Sequence, residues 1–469
     1  MKRTLLCVVV VIACFHFGFM FLEAFAWSTQ FVRSLTHLSE SAARETVGVG
    51  RNMALSNGFL GVALLWATFA LREREAYSAQ WVLLSFIVVA GVVGAVTMRN
   101  YRIFVMQSLP ALVALGMSWL ARPYARTEDQ AIQQIIEIER QILAINAMNP
   151  RAIPETAKGA VPRGQHPKLL GLVEAKLIVA DNLPKEMRVG VFKEPGKSYD
   201  AWIRYSNARN LDDRDPGGHG MAIKLFNVAA ETESSNVTQD FVLFDSPVFF
   251  VGNPLQYVEF EEATLRAHGK SRSETRIAFL LNYYWRHRKQ LKNLRNAQRS
   301  DVIDPLAIRY WSMTPYQFGS AVVKYSAKPV GEGAVPVVVE RSKDMLREAM
   351  KVRLGRTDAE FVEFEFQVQV QTDARSMPVE DPTKEWDEAV SRPITVAHLR
   401  IPTRQPFDTE ERNLIAENLS FTPWHALHGH RPLGGINRVR QAVYESLSEF
   451  RHALNHVPRQ EPNPPTQAR

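Results

Sequence analysis

The chain has 469 residues, of which 46% are hydrophobic and 22% are charged, and its formal net charge is +7 at pH 7. That length is typical of two or three domains, and the small basic excess selects no partner by itself. Only two cysteines occur, Cys7 and Cys14, and both lie in the first apolar segment. The remainder therefore has no disulfide, no thiolate nucleophile and no cysteine-bound metal, a composition that favours a reducing compartment.

Four apolar stretches near the N-terminus are each close to the ~20 residues that a helix needs to cross a bilayer. A cleaved signal peptide is the alternative for the first, but that stretch is long and has no clear small-residue cleavage site. We predict a four-helix transmembrane domain over 1–126 in a multi-pass protein of the bacterial inner membrane. Four spans place both termini on one side, which we expect to be cytoplasmic. The stretches run from Leu5 to Trp27, Met53 to Leu71, Gln80 to Met98 and Ile103 to Leu120.

Three polar residues, His16, Glu23 and Asn57, lie inside these stretches. Ionisable groups in a bilayer are costly and often functional, but we favour hydrogen bonding between helices here. The runs HFGFMFLEAFAW, NGFLGVALLW, VAGVVGA and QSLPALVAL, over about residues 10–120, resemble a bacterial four-helix membrane family of unknown function. That resemblance supports the topology and adds no chemistry.

The polar region begins with apolar residues at helical spacing between Ile132 and Leu143, followed by a Pro-, Gly- and Ala-rich segment from Asn149 to Pro167. We predict a helical linker and arm over 127–158. Short β-like runs separated by turn residues then predict an antiparallel barrel or sandwich. These runs are LVEAKLIVA, MRVGVF, YDAWIRYS, GMAIKLFNV, QDFVLF, SAVVKYSA, AVPVVVER, EFVEFEFQVQVQ and ITVAHLRI.

Residues 258–300 predict a basic helical region, in which arginines and lysines crowd beside the aromatic residues 283–285. Such a segment either lies on anionic lipid headgroups or forms a solvated surface, and the sequence favours neither. No recognition motif accompanies the charge, so we expect no nucleic-acid partner. The last apolar pattern, Asn437 to Leu454, predicts one helix, and 458–469 a disordered tail.

Three separated motifs combine arginine with histidine, serine or tyrosine. The motifs are RGQH at 163–166, WIRYS at 202–206 with DPGGHGMAIKLF and SPVFFVGNP after it, and RQAVY at 440–444 with Arg451 seven residues further on. In this order, over 159–457, they resemble the catalase superfamily of haem proteins. The resemblance implies an α+β catalase-like domain with an antiparallel β-barrel core and flanking helices, and it implies haem, most simply haem b, as cofactor.

The third motif has a geometry that helical spacing alone predicts. Arg440, Tyr444 and Arg451 are separated by four and seven residues, so they share one helix face. A guanidinium one turn away stabilises phenolate, the form of tyrosine that binds iron(III) in catalases. Taken alone, the face also fits a surface arginine beside a packed tyrosine. The resemblance implies that Tyr444 is the axial ligand of the haem iron, that Arg440 assists it, and that Arg163, Arg204 and Arg451 bind the propionates.

The first two motifs imply the opposite, distal face of the haem. His166 aligns with the distal histidine, which takes a proton from peroxide and returns it to the departing oxygen. Ser206 aligns with the serine that orients this histidine, and Phe249 and Tyr257 align with pocket aromatics. The sequence departs at Phe244, where typical catalases have asparagine. We expect this change to weaken catalase turnover more than one-electron peroxidase turnover.

The leading hypothesis is a membrane-anchored, haem-dependent enzyme that decomposes or uses hydrogen peroxide or organic hydroperoxides beside membrane lipid. The alternatives are a lipid hydroperoxide isomerase or dehydratase of the allene oxide synthase type, and a non-enzymatic haem-binding sensor or scavenger. A homo-oligomer remains open. His425, His428 and His430 do not match a standard zinc spacing, so we predict a structural loop there, and a structural role for His219.

Overall fold

The structure is a computed structural model that describes residues 2–36, 38–71, 73–120, 127–149, 152–228, 238–279, 283, 287 and 290–459. The chain divides into two compact units, Met1–Tyr124 and Ala125–Arg469. Each unit has a hydrophobic core of its own.

The first unit is helical, and four of its described segments are long and apolar enough to cross a membrane. These segments are Thr4–Phe25, Val47–Phe69, Ala76–Thr97 and Tyr101–Trp119, in agreement with the predicted stretches. The helices are α1 (Lys2–Phe25), α2 (Gln30–Thr36), α3 (Glu40–Glu45), α4 (Val47–Phe69), α5 (Glu73–Thr97), α6 (Tyr101–Ile103) and α7 (Leu109–Leu120), with a π-helical segment at Phe104–Ser108 between the last two.

The polar residues of the first unit join α1 to α4. His16 Nδ1 lies 2.7 Å from Asn57 Oδ1, and Asn57 Nδ2 donates to Glu23 Oε2 at 2.8 Å. Because His16 and Glu23 are seven residues apart, they share one face of α1, and one side chain of α4 bonds to both. The predicted hydrogen bonding between helices is therefore present.

The second unit is built on a closed antiparallel barrel. Its strands are β1 (Lys168–Val179), β2 (Ser198–Asn207), β3 (His219–Leu225), β4 (Gln239–Phe244), β5 (Tyr310–Trp311), β6 (Tyr316–Phe318), β7 (Ala321–Pro329), β8 (Phe361–Val370) and β9 (Ile394–Pro402). The pairing runs β5-β4-β3-β2-β1-β9-β8-β7, and β5 also pairs with β7, which closes a ring of eight strands. β6 extends the same edge of β7. This is the barrel alternative of the sequence prediction.

Alternation along each strand separates the barrel interior from its outer face. Ile203 and Tyr205 of β2 belong to the central apolar cluster, together with Phe241 of β4 and Phe366 of β8. The residues between them on β2 therefore point to the opposite face. Arg204 is one of them and is nevertheless buried, at 3% exposure, because other segments of the unit cover this face.

Two predicted strands are wrong. MRVGVF contains short 3₁₀ turns, and Gly190 within it has a positive φ of 51°, a conformation that no regular strand contains. The segment still delivers Phe192 into the barrel core. AVPVVVER forms no strand because Pro336 cannot donate to a ladder, and Val335 and Val338 are 67% and 80% exposed.

Helices cover the barrel, and the predicted linker helix and last helix are both present. The helices are α8 (Glu128–Ala147), α9 (Pro254–Ala267), α10 (Arg272–Phe279), α11 (Gln290–Asn296), α12 (Met345–Leu354), α13 (Glu410–Asn418) and α14 (Gly435–Leu454). Only short helices occur in the described part of 268–300; Tyr284, Trp285 and much of the basic segment lie outside the described residues. Residues 460–469 of the predicted tail do so as well.

Candidate functional site

Helix α14 brings Arg440 and Tyr444 together, one turn apart. The Nε and Nη2 atoms of Arg440 donate to the Tyr444 hydroxyl oxygen at 3.3 and 3.2 Å. The Nη1 atom donates to Asn437 Oδ1 at 3.2 Å and to Thr314 Oγ1 at 3.4 Å, so the buried guanidinium is fixed on both sides. Burial lowers the pKa of Arg440, but Tyr444 and Tyr316 outweigh it and raise that pKa above its ordinary value. The arginine therefore stays charged beside the phenol oxygen.

A second cluster gathers three arginines around Glu417, near the end of α13. Arg204 Nη2 lies 3.6 Å from Glu417 Oε1, and Arg451 Nη1 lies 3.9 Å from Oε2. Arg451 Nη2 also donates to the Glu417 carbonyl at 2.7 Å, while Arg163 Nη2 donates to the Ala416 carbonyl at 2.9 Å. The three guanidiniums thus converge on one helix end, which attracts cations through its free carbonyls.

The arginines of this cluster repel one another. Burial, and then the charge of Arg163, lowers the pKa of Arg204 to about 9 and that of Arg451 to about 10. Within the described residues, the Nε atoms of Arg163 and Arg204 have no hydrogen-bond partner. Buried donors are normally hydrogen-bonded, so these two N–H groups can still donate to an anionic ligand.

The charge of the cluster matches a haem. Arg163, Arg204 and Arg451 contribute three positive charges and Glu417 one negative charge, which leaves two (3 − 1 = 2). A haem carries two propionates, and arginine is the preferred partner of buried carboxylates. Together with a phenol fixed by a cation, these residues fit the group that the sequence implies.

His166 lies on the loop before β1 and is held by three hydrogen bonds. Its N–H donates to the Ala208 carbonyl at 2.9 Å, its carbonyl accepts from Arg204 Nη2 at 3.1 Å, and its Nδ1 lies 3.0 Å from Ser206 Oγ. Its φ is +59°, a region that non-glycine residues rarely adopt and that often marks functional positions. Burial, and then the charges of Arg204, Arg163 and Arg440, lower the pKa of His166 to about 3.

A cross-strand row beneath His166 determines its surroundings. Ser206 of β2 pairs with Gly220 of β3, and Gly220 pairs with Phe244 of β4. A Cβ at Gly220 would lie 2.6 Å from His166 Cε1, so only glycine leaves room for the imidazole. The Phe244 ring meets the imidazole edge-to-face, with ring centroids 5.9 Å apart. Phe244 therefore faces His166. The resemblance to catalases predicts an asparagine side chain where this chain has Phe244.

Phe249 and Tyr257 form part of an aromatic wall. Phe249 stacks on Phe250 with ring centroids 4.4 Å apart, and Tyr257 meets Phe249 edge-on at 5.7 Å. Burial, and then Glu261, Glu139 and Tyr444, raise the pKa of Tyr257 well above its ordinary value. Its hydroxyl therefore remains protonated at neutral pH.

The predicted site residues thus lie in one unit and influence one another. The charge of Arg440, which donates to Tyr444, helps to lower the pKa of His166. Tyr444 in turn acts to raise the pKa of Arg163 and that of Tyr257. Sequence reasoning missed Glu417, Asn437 and Gly220. Glu417 carried no signal because it is one acidic residue in an ordinary short helix. Gly220 had a weak signal, since a glycine inside a strand often marks close approach.

Three further histidines, His219, His425 and His430, make structural contacts. His219 Nδ1 lies 2.6 Å from Asp245 Oδ2, and its N–H donates to Oδ1 of the same carboxylate. His425 Nδ1 lies 3.1 Å from Asp240 Oδ2, and the buried His430 accepts from the Val191 N–H at 3.2 Å. No cluster of metal-binding side chains occurs among the described residues.

Comparisons with known proteins give a family match near the N-terminus and similarity to solved structures. Residues 10–119 match the model of a family described as a protein of unknown function, DUF1304. No curated protein matches the chain. The solved structures similar to the chain include catalases.

The similarity to catalases concerns the backbone fold. A bacterial catalase is 16% identical, with a TM-score of 0.49, over 64% of this chain and 60% of its own length. A fungal catalase is 18% identical, with a TM-score of 0.48, over 62% and 59% respectively. Catalase A from Saccharomyces cerevisiae is 16% identical, with a TM-score of 0.47, over 62% and 60%. The matched part thus spans about 60% of the length of these catalases.

Proposed function

We propose that the second unit binds haem b with Tyr444 as the axial ligand of the iron and consumes hydrogen peroxide or an organic hydroperoxide. One observation carries the proposal: Tyr444 receives two hydrogen bonds from buried Arg440, while three further arginines of the unit retain two uncompensated positive charges. A packed surface tyrosine needs neither feature. Fold similarity alone does not define a reaction, so the proposal rests on these side chains.

The residues of the chain have distinct roles in this proposal. Arg440 directs its positive charge at the Tyr444 oxygen through two hydrogen bonds, and Arg163, Arg204 and Arg451 hold the two propionates. Bound haem would supply the redox-active iron at which the peroxide bond is cleaved. His166 takes a proton from the peroxide at Nε2 and returns it to the departing oxygen, because its lowered pKa keeps the imidazole neutral.

Ser206 is proposed to orient that imidazole. If the His166 Nδ1–H donates to Ser206 Oγ, Nε2 is left as the acceptor, and no described residue bonds to Nε2. Phe249 and Tyr257 are proposed to limit water on this side of the site. An oriented imidazole and a pocket with little water both favour proton transfer between His166 and a substrate at hydrogen-bond distance.

A second candidate reaction is the rearrangement of a lipid hydroperoxide by an isomerase or dehydratase. The observation that favours it is the Phe244 ring against His166, which makes that wall apolar where an amide would hold hydrogen peroxide. An alkyl hydroperoxide gains contact area with such a wall. The four apolar helices of the first unit support an integral membrane location, which we propose places the site near lipid substrates.

Full-length protein in detergent, purified with added haem, tests the proposal. We expect an absorption spectrum of tyrosinate-ligated haem, peroxide consumption, and loss of both in Tyr444→Phe. Tyr325→Phe is the matched control, since it removes another buried hydroxyl, 3.0 Å from His430, outside the site. Dioxygen release, dye oxidation and oxylipin formation distinguish catalase, peroxidase and isomerase turnover. Failure to bind haem, or an unchanged Tyr444→Phe spectrum, would refute the proposal.

A further inference from the structure

Helices α8, α9 and α14 pack against one another through an apolar layer that encloses two carboxyl groups. The layer consists of Ala131, Ile135, Ile138 and Ile142 of α8, Val258 of α9, and Val439 and Val443 of α14. Glu139 of α8 is 1% exposed and Glu261 of α9 is 0% exposed. Glutamate is almost never fully buried without a partner, so this pair requires an explanation.

The two carboxyl groups lie within hydrogen-bond reach of each other. Among the described residues, Glu139 Oε2 and both oxygens of Glu261 accept no hydrogen bond from another donor. Two carboxylates cannot bond, because neither carries a hydrogen, whereas a proton on one makes it a donor to the other. Burial, and then the charge of Glu139, raise the pKa of Glu261 to about 8. A single proton on the pair at neutral pH removes the repulsion between two carboxylates. It also supplies the hydrogen that one carboxyl group donates to the other.

The pair also connects solvent to the loop that carries His166. Gln165 Nε2 donates to Glu139 Oε1 at 2.9 Å, and Gln165 directly precedes His166. On the other side, Arg209 Nη2 lies 3.6 Å from Glu261 Oε1, and the Arg209 side chain is 40% exposed. Tyr257, one turn before Glu261 on α9, is the other titratable group that faces the pair.

Peroxide reduction creates a demand for protons at this position. Reduction of one hydrogen peroxide to two waters takes up two protons and two electrons. Two phenolic donors, each giving one electron, also release one proton each, so the reaction balances once those protons reach the peroxide oxygens. His166 can return the proton it takes from the peroxide, but with a pKa of about 3 it stores none at neutral pH. A group beside its loop that holds a proton at neutral pH can therefore deliver protons that the donors release elsewhere.

We infer that Glu139 and Glu261 share one proton at neutral pH and exchange it between the solvent at Arg209 and the Gln165–His166 loop. Its use in peroxide turnover rests on the proposed function, whereas proton sharing and exchange do not. An experiment can therefore refute the role in peroxide turnover without refuting proton sharing and exchange, and the reverse.

Infrared spectra of the haem-free, full-length protein in detergent test proton sharing. At pH 7 we expect a carboxylic acid carbonyl band in the wild type that is lost in Glu261→Gln and in Glu139→Gln. Glu259→Gln is the matched control on α9, where Glu259 faces His287 at 2.9 Å, and it should retain the band. If neither pair variant differs from the wild type at pH 7, the pair holds no shared proton and the inference is wrong.

Transfer to heavy water tests exchange without haem. The acid band should shift faster than the most protected backbone amides exchange; a shift as slow as those amides would exclude a relay. In haem-loaded protein, Glu261→Gln should lower kcat for peroxide at least about tenfold at pH 7 to 8 and leave KM unchanged, within the range that positioned proton-transfer groups contribute. An unchanged pH profile of kcat would exclude a role of the pair in peroxide turnover.

Discussion

His166 combines a left-handed backbone with an imidazole that stays neutral over most of the pH range. Hydrogen bonds with Ser206, Ala208 and Arg204 hold the residue in this backbone conformation, and burial is the main cause of the low pKa of its imidazole. The nearby arginines, which would bind the haem propionates, also lower the pKa of the imidazole. Haem retention and proton transfer at His166 therefore depend on the same charges.

Phe244 is the residue at which the chain departs from typical catalases, and its contact with His166 makes the departure testable. We expect Phe244→Asn to raise dioxygen release from hydrogen peroxide at least about tenfold, since one positioned donor contributes ~10²–10³ in kcat in other enzymes. An oxygen electrode measures the rate. Phe244→Leu is the control, because it removes the aromatic ring without adding an amide. An equal rise in dioxygen release in that variant would show that the rise comes from removal of the ring and not from the amide.

Glu417 neutralises part of the arginine cluster, so its removal should separate folding from haem binding. We expect Glu417→Gln to cost the haem-free protein roughly 3–5 kcal/mol, because buried guanidiniums lose their only carboxylate partner within the described residues. Added haem should then raise the thermal midpoint more than in the wild type, since propionates supply the missing anions. Glu410→Gln, on the exposed side of α13, should change neither quantity. Equal haem-induced shifts would contradict this account.

Elements differ in how far the sequence alone predicts them. The last helix was predicted from Asn437 and observed from Gly435, because an amphipathic period over twenty residues is a strong signal. AVPVVVER was wrong because its β-branched composition was weighted above the visible Pro336, and composition does not reveal a lack of strand partners. Strand register was equally invisible, although it alone places Ser206, Gly220 and Phe244 in one row.

Gly220 on β3 tests whether that row positions His166. We expect Gly220→Ala to push the imidazole away, at a cost of about 1–3 kcal/mol typical of overpacking. The expected result is a folded, haem-binding protein in which peroxide consumption falls at least about tenfold while the haem spectrum persists. Gly333→Ala is a suitable control, since its Cβ would make an ordinary 3.5 Å contact with Val362. Undiminished turnover in Gly220→Ala would show that the row does not position His166.

At the scale of the whole molecule, hydrophobic composition predicted the first unit better than sequence patterns predicted the second. The apolar helices of the first unit follow from hydrophobic length alone, because the bilayer sets that length. The buried acids of the second unit could not be predicted, since burial of Glu139 and Glu261 results from the packing of α8 against α9. Their burial and that of His166 make the stability of the chain depend on pH in opposite directions.

The signs follow from the direction of each pKa shift. Folding lowers the pKa of His166 from 6.5 to about 3, so its contribution to stability is complete above pH 6.5 and is lost as pH falls through 3. Folding raises the pKa of Glu261 from 4.5 to about 8, so its contribution is complete below pH 4.5 and is lost as pH rises through 8. Together these two groups favour maximal stability between about pH 4.5 and 6.5.

Glu261→Gln should therefore flatten the alkaline side of the stability profile. Near pH 4.5 the neutral glutamine replaces a mostly neutral acid, so the thermal midpoints of variant and wild type should lie close together. Towards pH 8 the wild type must ionise a buried acid beside Glu139, whereas the variant does not, so the variant should become the more stable protein. Thermal unfolding of haem-free protein, followed across pH 4.5 to 8.5, measures the difference. Parallel profiles would mean that folding does not shift the pKa of Glu261, and the same flattening in Glu259→Gln would locate the effect elsewhere on α9.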